Sequence, residues 1–197
     1  PDVNFYISVD GRKDTHDAIR GKGCHDKIKK DANRPDLKIH VSMVINKMNY
    51  QDIECFIEEW IDVGVKGCLF QMYTPIKGLK NDDLWPGWKL RDEILDKLLR
   101  LKDEKYGDFI GVPSLVLKLM KSDKCKEVTR NCIFREVSFC LDPQGQLKKP
   151  CMMGPQADCL RCGCMLPFHM RVLEDKWLMA RELFTSLRRK IGKKALQ

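Results

Sequence analysis

Residues 37–45 read Leu-Lys-Ile-His-Val-Ser-Met-Val-Ile, and they predict a central strand of a parallel sheet. The stretch alternates at first and then becomes continuously apolar, which is typical of a strand buried on both faces. Asn49 then predicts the cap of a helix over residues 50–63, whose apolar residues recur at helical spacing before Gly64 ends it. Residues 67–73, Gly-Cys-Leu-Phe-Gln-Met-Tyr, predict the next strand.

A further strand is predicted over residues 4–9, upstream of this unit, with a turn at Asp10. Short helices are expected from about His16 and over residues 24–33. The order strand, helix, strand, helix, strand with short connections favours βαβ units and right-handed crossovers. Three strands cannot close a parallel barrel, so we expect earlier strands in a longer polypeptide. The start at Pro1, without an initiator methionine, agrees with that expectation.

The second half of the chain changes character after two more predicted helices, over residues 88–105 and 114–121. Residues 125–164 are rich in cysteine and loops, and Asp142-Pro143-Gln144-Gly145 predicts a hairpin turn between arms at 133–141 and 146–149. A long final helix is predicted over residues 173–189. Its apolar side chains are expected to face inward: Trp177, Leu178, Ala180, Leu183, Phe184 and Leu187. The expected units are 1–122, 123–172 and 173–197.

Composition excludes some classes of protein. The 197 residues are 43% hydrophobic and 32% charged, as in ordinary globular proteins. No apolar run approaches the roughly 20 residues of a membrane span, and no secretory signal is visible, so a cytoplasmic protein without membrane contact is expected. The net charge of +8 is spread over exposed helix faces. Nucleic acid is therefore not an expected partner.

The ten cysteines are the chain's strongest chemical signal. Cys159, Cys162 and Cys164 form a Cys-x-x-Cys-Gly-Cys run in which Gly163 lets the backbone bend toward a shared site. A thiolate-rich group with no nearby histidine suits an iron–sulfur cluster or a four-cysteine zinc site. The spacing leaves these two open. The length of the chain and its lack of a signal peptide argue against a disulfide framework.

Polar residues mark the carboxyl ends of all three predicted strands, where α/β folds bind ligands. The first strand ends near Ser8 and Asp10, the second near Ser42 and Asn46, and the third near Gln71. His16, Asp17 and Arg20 follow the first strand. These residues predict a pocket at one edge of the sheet, although a plain turn followed by a helix start would also explain the first group.

In this order, the motifs resemble the radical S-adenosylmethionine (SAM) superfamily, specifically members with a SPASM-like or twitch-like C-terminal extension. Ser8-Val9-Asp10-Gly11, His16-Asp17 and Arg20 resemble the family's fourth-strand block. Residues 41–49 resemble its fifth strand and the helix that follows, and residues 64–78 its sixth strand and exit loop. Residues 139–151 resemble the hairpin that delivers auxiliary-cluster cysteines.

The resemblance implies an α/β fold: the C-terminal half of a partial (β/α)6 barrel, followed by a small cysteine-rich α+β extension and a C-terminal helix. The family's SAM-cleaving cluster uses a Cys-x-x-x-Cys-x-x-Cys loop, which this chain lacks. The chain is therefore expected to be the C-terminal part of an enzyme, inactive alone, with the missing N-terminal half as its partner. The substrate, a peptide or a small molecule, is not specified.

Carried over by position, the resemblance places Ser8 and Asp10 near the SAM ribose and Arg20 near its carboxylate. Ser42 and Asn46 would approach the ribose or methionyl part, and the strand around residues 69–71, with Gln71, would border the adenine. One auxiliary 4Fe–4S cluster is implied, with five candidate ligands where four suffice: Cys132, Cys151, Cys159, Cys162 and Cys164. The alternatives are a zinc-ribbon binding module without catalytic activity and a structural α/β domain stapled by a metal.

Overall fold

The structure, a computed structural model, describes residues 3–79 and 82–194, with side chains as far as Arg188. It is an α/β fold containing a parallel sheet of three strands in the order β1 (Asn4–Ser8), β2 (Lys38–Ile45) and β3 (Gly67–Met72). Ser8 lies opposite Ser42, and Val44 lies opposite Gln71. The predicted strands and their parallel pairing are confirmed.

Helices form both connections between the strands of the sheet. Between β1 and β2 lie α1 (Lys13–Arg20) and α2 (Cys24–Ala32), and between β2 and β3 lies α3 (Ile53–Val63), which one 3₁₀ turn precedes. The remaining helices are α4 (Gly87–Leu101), α5 (Ser114–Leu119), α6 (Ser122–Arg130), α7 (Ile133–Val137), α8 (Leu166–Glu174) and α9 (Lys176–Lys194). The predicted helices over 24–33, 50–63 and 88–105 are confirmed within a few residues.

The sheet is covered on one face only, so the prediction of a strand buried on both faces is wrong. Ile39, Val41, Met43 and Ile45 of β2 are buried, whereas the alternate residues are half-buried or exposed. The covering helices lie on the buried face: Phe56 of α3 packs edge-to-face on Phe70 at 5.9 Å between ring centroids. Burying each such side chain stabilises the fold by about 1.5–3 kcal/mol.

The cysteine-rich region is more helical than predicted. Its expected first hairpin arm contains helix α7, and the pairing that remains is a bridge between Leu141 and Leu147. The predicted turn is present, because the Asp142 carboxylate accepts hydrogen bonds from the backbone of Gln144 (2.9 Å) and Gln146 (2.8 Å). Residues 133–137 are therefore helical although Ile133, Phe134 and Val137 favour strands, while the turn chemistry holds the loop.

The predicted final helix over residues 173–189 is confirmed as α9, which begins three residues later because Asp175 separates it from α8. The Asp175 carboxylate accepts hydrogen bonds from the backbone of Trp177 (3.0 Å) and Leu178 (3.2 Å), which starts a new helix. The predicted inward orientation is confirmed for Leu178, which packs against the core, and wrong for the larger side chains: Trp177 is 83% exposed and Phe184 is 62% exposed. In the part of the chain that the structure describes, no helix combines the length and apolar character needed to cross a bilayer.

Candidate metal centre

The cysteine run lies along the exit of β3. The Met72 N–H donates to the Gly163 carbonyl (2.9 Å), and the Asp158 N–H donates to the Pro75 carbonyl (2.8 Å). The Lys77 N–H donates to the carbonyl of Gln156 (2.7 Å). Backbone hydrogen bonds therefore tie residues 156–163 to the end of β3 and to the loop after it, at the same edge at which the polar residues of the strands collect.

Gly163 is the point of closest approach in this pairing. Its N–H donates to the Thr74 hydroxyl (2.8 Å), and a Cβ at this position would lie 1.8 Å from the Met72 carbonyl oxygen. The sequence predicted Gly163 as a bend between cysteines. The structure adds that no side chain fits there, because the run and β3 are in backbone contact.

Arg91 of α4 holds the same run from the other side. This fully buried side chain donates to the carbonyls of Cys162 (2.9 Å), Arg161 (3.3 Å) and Met120 (3.1 Å). Its guanidinium also lies over the Trp88 ring, 5.2 Å from the centroid. Burial lowers the pKa of Arg91, and the nearby Cys125 and Cys162 thiols act in the opposite direction.

Arg91 was not among the predicted site residues, although the sequence contains a signal for it. Arg91 stands at the i, i+3, i+4 and i+7 spacing that Ile94, Leu95 and Leu98 complete on the buried side of α4. An arginine at an apolar position of a helix must find hydrogen-bond acceptors in the core. Here the acceptors are two carbonyls of the cysteine run and the carbonyl of Met120.

Four of the five predicted metal ligands lie close enough together for the charge on one thiolate to raise the pKa of another. Burial raises the pKa of the Cys132 thiol, and negative charge on the nearby Cys151 and Cys159 raises it further. The pKa of Cys164 is likewise raised by burial and then by Cys151 and Cys132. Three separate segments thus bring their thiols together: the start of α7, the loop after Pro150, and the run at 159–164.

Cys162, the fifth candidate, is also a neighbour of Cys164 but lies in addition beside Arg91 and Cys125. Burial raises the pKa of its thiol to about 12, followed by the charge of Cys164 and Cys125, while Arg91 acts to lower it. The Cys125 thiol also approaches the Cys162 carbonyl at 3.6 Å. Cys162 therefore lies between Cys164 and the anchor of the run, which Arg91 and Cys125 form.

All ten cysteines lie within the described residues and are free thiols. Across residues 3–79 and 82–194, no three histidine, cysteine or acidic side chains are arranged to hold a single metal ion. The four thiols are therefore neighbours that do not converge on one point.

Asp10 and Arg20, two predicted cofactor-binding residues, pair with each other. The Arg20 Nε donates to Asp10 Oδ2 (2.6 Å), and the Val44 N–H donates to Asp10 Oδ1 (2.9 Å). Asp10 is buried, whereas the Arg20 side chain is 40% exposed. The carboxylate thus ties β1 to β2 and holds the guanidinium at the edge of the sheet.

Asn46 and Asn49 shape the turn after β2. The predicted capping bond from the Asn49 side chain is not made, which corrects that prediction. Instead, buried Asn49 accepts from the Asn46 N–H (2.8 Å) and donates to the Val44 carbonyl (3.0 Å). Asn46 in turn accepts from the Met48 N–H (2.8 Å). Both amides satisfy backbone groups that a sharp turn would otherwise leave unpaired.

The three remaining predicted residues, Ser8, Ser42 and Gln71, share the less covered face of the sheet. Strand register places them on that face with His40, whose ring stacks on Tyr6 at 5.1 Å between centroids. Parallel strands present alternate residues to one side, so these polar groups face the same space. The structure thus brings the six predicted residues to one face and its carboxyl edge, beside the cysteine run.

A cavity of about 490 Å³ lies between the turn after β2, the loop before α4 and the cysteine run, and none of the six predicted cofactor-binding residues lines it. Its lining includes Lys47 after β2, Asp82 and Trp85 from the loop before α4, and Arg161 from the cysteine run. The Arg161 guanidinium lies over the Trp85 ring, 5.6 Å from its centroid. The cavity can therefore bind a polar or charged group next to the cysteines.

His16 is buried behind Asp10, and its protonation affects the stability of the fold. Its Nδ1 accepts the Asp10 N–H (2.9 Å), and its ring lies 5.6 Å from that of His25. Burial lowers the pKa of His16 below its ordinary value of 6.5, and His25 adds to the lowering, against the carboxylates of Asp10 and Asp17. The folded chain thus binds this proton less readily than the unfolded chain.

We expect His16 to make the fold sensitive to acid. Because the folded-state pKa of His16 is lowered, the contribution of the neutral ring to the free energy of unfolding is complete above about pH 6.5. This contribution is lost as the pH falls below that value. Urea unfolding at several pH values measures the loss. In His16→Asn, whose side-chain oxygen can accept the Asp10 N–H, the decline below pH 6.5 should be smaller. His169→Gln should decline like the wild type, and equal slopes in all three proteins would contradict the assignment.

Comparison with known proteins adds no relative. No model of a known protein family matches the chain, and a search of curated proteins finds no similar sequence. The interpretation of the site therefore rests on its own residues and on their placement at the edge of the sheet.

Proposed function

We propose that the chain is the C-terminal part of a radical SAM enzyme whose auxiliary 4Fe–4S cluster is held by Cys132, Cys151, Cys159 and Cys164. One observation carries the proposal: four thiols from three separate segments share one electrostatic neighbourhood, at the edge where the polar strand ends also lie. Cys162, the fifth ligand that the resemblance implied, is assigned to the anchor around Arg91.

The donor set fits a cluster. Thiolates without histidine are the usual ligands of a 4Fe–4S centre, in which each thiolate binds a different iron. When bound, the cluster supplies electron transfer or a site for substrate coordination.

The sheet fits half of a barrel. In a barrel of alternating strands and helices, the helices cover the outer face and the inner face lines the ligand site. Here the helices pack on one face, and Ser8, Ser42 and Gln71 lie on the other. Phe5 and Tyr6 of edge strand β1 are 44% and 59% exposed, which suits further strands beside β1.

The edge of the sheet offers groups for SAM and substrate. Arg20, oriented by Asp10, is reachable by the carboxylate of a bound ligand, and this charge-assisted pair fixes its direction. Asn46 and Asn49 hold the backbone after β2 in shape. The cavity beside Arg161 would place a polar part of the substrate next to the cysteine run. The fragment is proposed to bind ligands and to depend on an N-terminal half for radical chemistry.

The cysteines can be tested by iron content. Protein purified without oxygen should be brown, with broad absorbance near ~400 nm from thiolate-to-iron charge transfer. Cys132→Ala, Cys151→Ala, Cys159→Ala and Cys164→Ala should each lose most of the iron and of this absorbance. Cys162→Ala, which leaves the four proposed ligands in place, should retain most of both.

Exposed Cys55 provides the matched control, because it lies on α3 outside the cysteine-rich region. Cys55→Ala should bind as much iron as the wild type. Colourless protein carrying stoichiometric zinc would instead support the zinc-binding alternative. Equal iron loss in Cys55→Ala and Cys159→Ala would contradict the ligand assignment.

A further inference from the structure

Helix α9 presents an apolar stripe to solvent. Trp177, Ala180, Phe184 and Leu187 recur every three or four residues and so lie on one side of the helix, with Leu183 beside them. Trp177 is 83% exposed, Phe184 is 62%, Leu183 is 60% and Leu187 is 57%. Contiguous exposed apolar surface of this kind marks an interaction site.

The orientation of α9 is fixed from its opposite side. The Glu182 carboxylate accepts hydrogen bonds from the backbone of Ser114 (3.2 Å) and Leu115 (2.8 Å), at the start of α5. Leu178 packs against the core on this inward side. The fold thus uses a carboxylate and one leucine to hold α9 and leaves the larger apolar side chains outside.

The charged residues in the sequence of α9 are almost all basic. Glu182 is the single acidic residue in the sequence of α9, and it is directed toward α5. The basic residues of the helix sequence are Lys176, Arg181, Arg188, Arg189, Lys190, Lys193 and Lys194. The Arg188 guanidinium lies over the Phe184 ring, 5.7 Å from its centroid. The stripe therefore complements a surface that is both apolar and anionic.

We propose that α9 docks the protein onto the surface of an anionic lipid bilayer. Interfacial helices combine Trp, Phe and Leu on the buried side with Lys and Arg that contact lipid headgroups. A second copy of the chain is a poorer occupant, because a symmetric contact would bring the basic side chains of two α9 helices together. The proposed contact lies along the membrane plane, so it needs no spanning helix.

Vesicle co-sedimentation of the whole chain tests the proposal. Binding is expected to vesicles containing phosphatidylglycerol, to be weak on pure phosphatidylcholine, and to fall as salt is raised. The double variant Leu183→Ser/Phe184→Ser should weaken binding by at least about tenfold, because two large apolar side chains no longer enter the interface. Both residues are exposed, so circular dichroism should show an unchanged fold.

A matched control is the double variant Val137→Ser/Phe139→Ser, whose apolar side chains are 60% and 77% exposed on a different segment. It should bind vesicles like the wild type. Absence of binding to anionic vesicles, or equal loss in both double variants, would overturn the proposal. So would light scattering that shows a wild-type dimer converted to monomer by Leu183→Ser/Phe184→Ser, because the stripe would then be a contact between two copies.

Discussion

Gly163→Ala is expected to release the cysteine run from β3 and to abolish stable iron binding. The added methyl carbon would lie 1.8 Å from the Met72 carbonyl oxygen, a distance at which the backbone must move. Moving the backbone breaks the hydrogen bond from the Met72 N–H to the Gly163 carbonyl. It also strains the hydrogen bond from the Gly163 N–H to the Thr74 hydroxyl. Together these losses should cost about 3 kcal/mol or more in the free energy of unfolding.

Urea unfolding and iron content measure the two parts of this expectation. The matched control is Gly145→Ala, in the hairpin turn of the same region, where a Cβ meets no atom within 4 Å. Its φ of +77° makes alanine strained, by about 1–2 kcal/mol. Gly163→Ala should therefore be clearly the more destabilising of the two and should lose iron, while Gly145→Ala keeps it. Similar effects would show that the contact with Met72 does not position the run.

The sheet could be predicted from sequence because its signals are local. Three β-rich runs, separated by a helix with a clear apolar period and by glycine at its end, specify parallel strands and short crossovers. What the sequence did not specify was how many sides of the sheet are covered. A run such as residues 38–45 is apolar enough for two buried faces, yet His40, Ser42 and Val44 are only half-buried. Coverage depends on the neighbours of the sheet, which strand periodicity does not report.

Cysteine spacing predicted where thiols would collect but not which of them would be neighbours. Cys159, Cys162 and Cys164 are close in sequence, and a two-residue spacer suggests that Cys162 faces the same site as Cys159. The carbonyl of Cys162 is instead taken by Arg91, and its thiol lies with Cys125. Cys132, far away in sequence, joins the group through α7. Tertiary contacts decide which of the five candidate thiols are neighbours, and which four bind a cluster stays a prediction.

The predicted orientation of the large apolar side chains of helix α9 was wrong for a related reason. Its apolar period is real, but periodicity shows only that one side differs from the other. The side that faces the body is chosen by Glu182, which binds the start of α5 some 68 residues away in sequence. A capping interaction over that distance has no local signal, so the apolar side was assigned inward.

Replacement of Arg91 is the second change with a large expected effect. Arg91→Met keeps the volume and apolar stem but leaves the carbonyls of Cys162, Arg161 and Met120 without their donor. Each buried acceptor left unpaired costs about 1–3 kcal/mol, and loss of the charge, whose burial is itself unfavourable, offsets part of this. We expect a net loss of about 3 kcal/mol in the free energy of unfolding, measured by urea denaturation, together with weaker iron retention.

Arg91→Lys separates the shape of the guanidinium from its charge. Lysine keeps the positive charge and its burial cost, but a single ammonium cannot donate along the three directions that Nε, Nη1 and Nη2 use in the arginine. It should therefore destabilise the chain about as much as methionine does. Arg34→Met, at an exposed pair with Asp36, should change stability by less than about 1 kcal/mol. Full rescue by lysine would mean that charge near Cys125 and Cys162, and not the fork that binds the carbonyls, holds the cysteine run in place.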